Sequence, residues 1–324
     1  MCWDLSEALG KLDVEVHLFA LPQSQVPSGG YLHYVPDCPL DHFWLFEQSV
    51  IKFYKKMLDD AEMVWHDWGH THIIHDYLHW NHKSNVISTP WGVFIQRPFW
   101  RQHLVTWSRF QRGLAVQQGF PQSTRYVHGG TNTELFCPDP DKPFEKDGYF
   151  LFCARMHPDK RPDLFLHLAE MFPNEQFVLS GSFGKTATPD HAYYGKIYEE
   201  MAQKLSNVKI VPDPTKQQQI ELYRRAKAVI HPSLSECFGL VIVEALACGT
   251  PVIVSRDGAF PEIVIEGKTG WLCSNLQEYV SAIMNVDMLS PEKARKDAVE
   301  RFDRSRVAKE YLQVYKEVAL GSIF

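Results

Sequence analysis

The chain has 324 residues, enough for two domains of roughly 150 residues each. Apolar residues make up 45% and charged residues 22%, so ordinary hydrophobic cores can form. A net charge of −6 lacks the basic face that broad nucleic-acid binding needs, which argues against that class.

The chain opens on a helix pattern, "LSEALGKL", followed by a strand pattern, "VEVHLFA" (14–20). A helix is predicted over "FWLFEQSVIKFYKKML" (43–58), a strand over "EMVWHD" (62–67), a helix over "THIIHDYLHW" (71–80) and a strand over "NVISTP" (85–90). The segment "RPFWRQHLVTWSRFQRG" (97–113) mixes aromatics with arginine. It reads either as a contact to an anionic membrane surface or a sugar ring, or as a helix packing its aromatics inward; the last is the preferred reading. "CPDPDKPFEKDG" (137–148) is rich in proline and charge, has no period, and reads as an interdomain linker.

Beyond it, strand and helix patterns alternate. Strands are expected over 149–154, 176–182, 208–212, 228–233 and 251–255, and helices over 161–172, 193–205, 217–226 and 238–249. Such alternation implies parallel pairing in a doubly wound sheet, where ligands bind at the carboxyl ends of the strands. An amphipathic helix, "RSRVAKEYLQVYKEV" (304–318), follows. The domains expected are residues 1–138, a linker 139–148, a second domain 149–303, and a final helix 304–324. A doubly wound domain normally begins with a strand and a loop, and both are expected to be missing before "LSEALGKL".

Seven scattered cysteines with no CxxC pair read as reduced thiols in a cytoplasmic protein. No apolar run approaches the ~18 residues of a membrane span. "WHDWGHTHIIHDYLHWNH" holds six histidines in seventeen residues, with His72, His75 and His79 at helical spacing. No cysteine interleaves them, so an exposed face of neutral histidines is preferred to a metal site.

The most informative stretch is "SECFGLVIVEALACGTPVIVS" (235–255). Glu244 sits in an apolar helical run whose near neighbours, Leu240, Val241, Ala247 and Cys248, carry no donor. A carboxylate there is costly unless it is hydrogen-bonded, and sugar hydroxyls are donors that would satisfy it. The plainer alternative is a side chain facing solvent. Glu236 precedes the helix, whose opening at Phe238, Gly239 and Leu240 offers free N–H groups and a favourable dipole to an anion. Arg155 and Lys160 follow a buried strand, as a fork and a point charge suited to two phosphates; the alternative is ordinary surface cations.

Glu236 and Glu244 form an E-x7-E pair inside "HPSLSECFGLVIVEALACGTPVIVSRDGAFPEIVIEGKTGWL". That string resembles the signature region of the retaining glycosyltransferases of family 4. "FLFCARMHPDKRPDLFL" is similar to the first strand and loop of that family's donor domain. "YVHGGTNTELFCP" resembles its crossover, with Asn132 in place of the usual Asp. The resemblance implies an α/β GT-B fold of two doubly wound, Rossmann-like domains facing a cleft, with the final helix crossing back to the first. It implies that Arg155 and Lys160 hold a nucleotide diphosphate and Glu244 the ribose hydroxyls. Glu236 would lie beside the donor sugar, and the backbone at Phe238, Gly239 and Leu240 would contact phosphate or sugar. His66, ending a strand, takes the position from which a histidine approaches the donor sugar, while Trp91 stands where many members have histidine. The absent opening loop would be a Gly-rich one bordering the donor phosphates.

The expected activity is retaining transfer from a UDP- or GDP-sugar to a hydroxyl of a saccharide, lipid or small molecule. No cofactor or metal is required, and the partners are the donor and a sugar or lipid-linked acceptor, with peripheral membrane contact as an option. Glu236 as nucleophile and deprotonation of the acceptor by the leaving phosphate both stay open. The rival readings are a GT-B sugar-nucleotide epimerase, which turns over without acceptor, a phosphorylase, which needs a cofactor lysine in a longer chain, and a catalytically silent nucleotide-sugar-binding protein.

Overall fold

The structure, a computed structural model, describes residues 2–20, 30–34, 43–60, 63–67, 77, 85–90, 103–183, 189–322 and 324. The elements in order are α1 (Cys2–Gly10), β1 (Val16–Ala20), β2 (Gly30–Tyr34), α2 (Phe43–Leu58), β3 (Trp65–Asp67), β4 (Val86–Ser88), β5 (His103–Thr106), α3 (Arg109–Gln117) and β6 (Arg125–Tyr126). Then come β7 (Tyr149–Arg155), α4 (Pro162–Met171), β8 (Gln176–Ser182), α5 (Pro189–Ala202), β9 (Val208–Pro212), α6 (Lys216–Arg225), β10 (Ala228–His231) and α7 (Leu240–Ala247). The last are β11 (Val252–Ser255), α8 (Phe260–Ile263), β12 (Gly270–Cys273), α9 (Leu276–Met284), α10 (Pro291–Phe302) and α11 (Arg304–Ala319). They form two compact units, residues 1–129 with 304–324, and residues 130–303.

In the first unit, β3, β4, β5 and β6 pair in that order, all parallel, and β1 pairs with β2 in a separate parallel pair. The apolar face of α11, Val307, Tyr311, Val314 and Val318, packs with Leu5, Ala8 and Leu9 of α1 and with Ile87 and Val105 of the sheet. These α11 residues recur every three or four positions, which puts them on one helical stripe.

The second unit carries a six-stranded, all-parallel sheet of order β12-β11-β10-β7-β8-β9. Its central strands are buried on both faces, so β10 (AVIH) and β11 (VIVS) read as continuous apolar runs without alternation. The core centres on Phe150, Phe152, Phe165, Phe177, Ile230 and Ile253. The strand order reverses between β7 and β10. This is the switch point at which the two following connections leave toward opposite sides of the sheet and open a crevice at the strand ends.

Asn207 closes the end of α4. Its amide donates to the carbonyls of Ala169 (2.9 Å) in the last turn and of Phe172 (3.1 Å) and Glu175 (3.0 Å) just beyond it. Asn207→Ala is expected to lower stability by about 2 kcal/mol, read by thermal unfolding, because buried acceptors lose their donor.

Two expectations change. The stretch 97–113 is not one helix: residues 103–106 form strand β5, fully buried, and α3 begins only at Arg109. Ser108 sets the boundary, its hydroxyl accepting from Gln111 N at 3.0 Å, while Gln111 Oε1 accepts from Trp107 N at 2.8 Å. Between residues 255 and 304, where no element was expected, the chain adds α8, β12, α9 and α10. The histidines 72, 75 and 79, Trp91 and residues 97–102 lie outside the described residues. The segment 137–148 belongs to the second unit, where Arg224 Nε donates to Cys137 O (2.7 Å), Arg225 pairs with Asp139 (2.6 Å) and Lys146 Nζ donates to Thr250 Oγ1 (2.8 Å). At the crossover, Asn132 Oδ1 accepts from the N–H of Glu134 and Leu135 at 3.1 and 3.2 Å, a turn that asparagine closes as well as aspartate.

Candidate functional site

The two connections at the switch point carry the polar residues singled out in the sequence. β7 ends at Arg155, and a short 3₁₀ turn, Pro158–Lys160, leads into α4. β10 ends at His231, and the loop 232–239 leads into α7. The two loops are tied together at one carbonyl. Asp159 O accepts from Leu234 N (2.9 Å) and from Ser233 Oγ (3.1 Å).

Lys160, only 8% exposed, reaches across this tie. Its ammonium lies 2.5 Å from Glu236 Oε1 and 3.5 Å from Ser233 Oγ. His231 Nε2 lies 3.1 Å from the same Glu236 oxygen. Burial alone would push the Glu236 carboxyl up, but its bonds with His231 and Lys160 outweigh that and hold it well below the usual carboxylate range. Arg155 sits further out, half-exposed, with Nη2 4.0 Å from Asp159 Oδ2; that carboxylate is also 3.6 Å from Lys160 Nζ and pairs with His157.

A third connection braces Glu236 from behind. Ala259 N donates to Glu236 O at 2.9 Å, and a Cβ on Gly258 (φ 59°) would stand 2.5 Å from that oxygen. Gly239 takes φ 96° at the start of α7, where a Cβ would fall 2.8 Å from the Phe260 ring. Only glycine combines that left-handed backbone with that approach. Phe238 is buried and Leu240 half-buried at the same turn.

Glu244 belongs to a different polar group. Its carboxylate is 13% exposed. Oε2 accepts from Tyr223 OH (3.2 Å) and Gln219 Nε2 (3.4 Å), and Lys216 Nζ lies 3.9 Å from Oε1. The donors missing along α7 therefore come from the neighbouring helix α6, and not from a ligand alone as expected. Lys216, Gln219 and Tyr223 are spaced three and four apart on one face of α6, a signal present in "KQQQIELY". Burial pushes the Tyr223 hydroxyl well up and the Cys153 thiol beside it to about 11, so both stay neutral donors or fillers.

In the first unit, His66 at the middle of β3 has both ring nitrogens engaged, Nδ1 2.6 Å from Tyr315 OH and Nε2 2.8 Å from Thr89 Oγ1. Burial pushes this imidazole down to about 3, so it is neutral at any ordinary pH. Sequence reasoning missed His231, Asp159 and the three α6 residues. A histidine closing an otherwise apolar strand was the visible sign of the first. Among the described residues, no group of three or more His, Cys, Asp or Glu is placed to hold a metal ion.

Residues 138–301, about half of the chain, match the family described as glycosyl transferases group 1. The chain belongs to that family. Among curated relatives in it, D-inositol 3-phosphate glycosyltransferase of Mycobacterium sp. (strain JLS) is 30% identical over 198 residues, 58% of this chain and 44% of that protein. The enzyme of the same name from Mycolicibacterium gilvum (strain PYR-GCK) is 37% identical over 172 residues, 50% of this chain and 38% of its own length. The chain thus spans less than half the length of these glycosyl transferases. Among solved structures, sucrose-phosphate synthase from Thermosynechococcus elongatus superimposes with a TM-score of 0.77 at 18% identity, covering 98% of this chain and 92% of that one. Anabaena HepE in complex with UDP and glucose gives 0.75 at 17% identity, covering 97% and 94%. The fold shared with these is GT-B, as the signature string led us to expect.

Proposed function

We propose that this chain is a retaining, family 4 glycosyltransferase that moves a sugar from a UDP- or GDP-sugar to a hydroxyl of a saccharide, lipid or small-molecule acceptor. What carries the reading is the placement of Lys160 and Glu236 against each other, across the two loops of the switch point. A cation there meets the diphosphate, and the carboxylate beside it meets the sugar.

In this reading Arg155 and Lys160 hold the two phosphates. As the bond from the anomeric carbon to the phosphate oxygen breaks, the electron pair leaves with the diphosphate, and both cations stabilise that growing charge. The carboxylate of Glu236 stands against the positive charge that develops on the sugar ring. The backbone at Phe238, Gly239 and Leu240 borders the phosphates at the start of α7. Glu244 takes the ribose hydroxyls as further donors beside Tyr223 and Gln219. His66 serves the acceptor side as a neutral hydrogen-bonding group. No cofactor or metal is needed by these steps. The site of action is assigned to the cytoplasm; the described cysteines 137, 153, 237, 248 and 273 are all free thiols.

The test is direct. The full chain is incubated with UDP- and GDP-sugars and a mixture of saccharide and lipid-linked acceptors, and products are read by mass spectrometry and by the anomeric configuration in NMR. Product with retained configuration is expected; an inverted product overturns the retaining mechanism. Product without acceptor would favour an epimerase.

Glu244→Ala and Arg155→Ala separate the two ends of the nucleotide. Each is expected to weaken binding of a nucleoside diphosphate about tenfold or more in calorimetry. Binding of the uncharged nucleoside should fall for Glu244→Ala only. If Arg155→Ala weakens the nucleoside equally, Arg155 has no phosphate role.

A further inference from the structure

The buried imidazole of His231 has no task in the reading above, yet its surroundings define its state closely. It closes β10 and is 2% exposed. Nε2 lies 3.1 Å from Glu236 Oε1, while Nδ1 is buried without a partner. The ring lies parallel to Phe152 at 6.1 Å and edge-on to Phe260 at 5.7 Å, and neither neighbour titrates. A carboxylate only accepts, so Nε2 carries the proton. The ring thus donates to Glu236 from Nε2.

Both donors to Glu236 converge on one oxygen. Lys160 Nζ and His231 Nε2 each bond Oε1, and among the described residues Oε2 has no hydrogen-bond partner. Lys160 is a mobile four-carbon stem with a charge that an arriving diphosphate attracts. His231 is a rigid ring fixed by packing.

We infer that His231 is a positioning residue. It pins Glu236 Oε1 from within the sheet, so that Oε2 stays turned to the donor sugar when Lys160 swings toward phosphate. The sugar-facing part rests on the glycosyltransferase reading; the pinning of Oε1 does not. The charged groups around it are Glu236 itself, Lys160 on the same oxygen, and Asp159 3.6 Å from Lys160. Phe152 of β7 and Phe260 of α8 contribute none.

The experiment uses the full chain, with His231→Phe, which fills the space but cannot donate, and His231→Gln, which keeps an N–H. Turnover with UDP-glucose or whichever donor the product screen selects is measured against pH. His231→Phe is expected to lower kcat about tenfold or more. Its donor KM should hold within about threefold, and the acid limb of its rate profile should move to higher pH. His231→Gln is expected to recover most of kcat. If His231→Phe keeps the parent kcat and acid limb, or if both variants lose activity in step with their Tm, the positioning role is overturned.

A second readout needs no turnover. In ¹⁵N-histidine-labelled protein, the imidazole signals lost in His231→Phe should report a proton on Nε2. They should shift when Glu236→Gln is introduced. An Nδ1–H form, or no response to Glu236→Gln, refutes the pinning. A parent chain that transfers no sugar while showing the expected form refutes the functional reading alone.

Discussion

Lys160→Met is expected to weaken nucleoside diphosphate binding by about 10- to 150-fold, the range that corresponds to losing a hydrogen bond made by a charged group. Lys160 is nearly buried, and its ammonium sits among Glu236 Oε1, Ser233 Oγ and the Asp159 carboxylate. Removing it leaves Glu236 with His231 as its donor. Methionine has nearly the length of the lysine stem, so the packing of the 3₁₀ turn survives and the effect isolates the charge. Calorimetry with UDP, GDP and the uncharged nucleosides checks this. Nucleoside affinity should be unchanged. Equal losses for diphosphate and nucleoside would mean that Lys160 only shapes the loop.

Glu236→Gln is expected to cost at least about 100-fold in transfer. The reason lies in the one-sided bonding of the carboxylate. Two donors hold Oε1, so a glutamine must turn its carbonyl oxygen to Lys160 and His231. Its NH₂ then takes the place of the open Oε2. The position changes from acceptor to donor without a change of shape. Stability should change its pH dependence as well. The carboxyl of Glu236 is lowered in the folded state, so it contributes stability that is full above the ordinary glutamate range and is lost as pH falls through its lowered value. The gap between parent and variant should close as the solution is acidified below about pH 4. Thermal unfolding across that range checks the sign, and parallel curves would deny that Glu236 is held ionised.

The second unit was largely legible because its signals are local. β7, β10 and β11 are short apolar runs, each followed by a polar loop, and the E-x7-E string fixes where those loops stand relative to α7. The partners of Glu244 were not legible from α7 itself. They lie on α6, and only the packing of the two helices brings Tyr223 and Gln219 to that carboxylate. The stretch 97–113 misled for a different reason. Its aromatic and arginine spacing suits a helix, yet Val105 and Thr106 are β-branched, Leu104 is buried beside them, and Ser108 starts a new helix. His231 lies within the expected strand 228–233 but drew no assignment, since its packing against Phe152 and Phe260 is a tertiary fact.

The first unit is assembled from both ends of the sequence. Residues 304–324 complete it, with 130–303 set between the two parts. His66 and Tyr315, hydrogen-bonded to each other, are 249 positions apart. The stripe Val307, Tyr311, Val314 and Val318 covers apolar surface on α1 and the sheet. A ribosome extends a chain at about 5–20 residues per second, and α11 is made only after all of residues 130–303. The earlier half spends on the order of ten seconds with that surface bare, which makes it the half that a chaperone would meet.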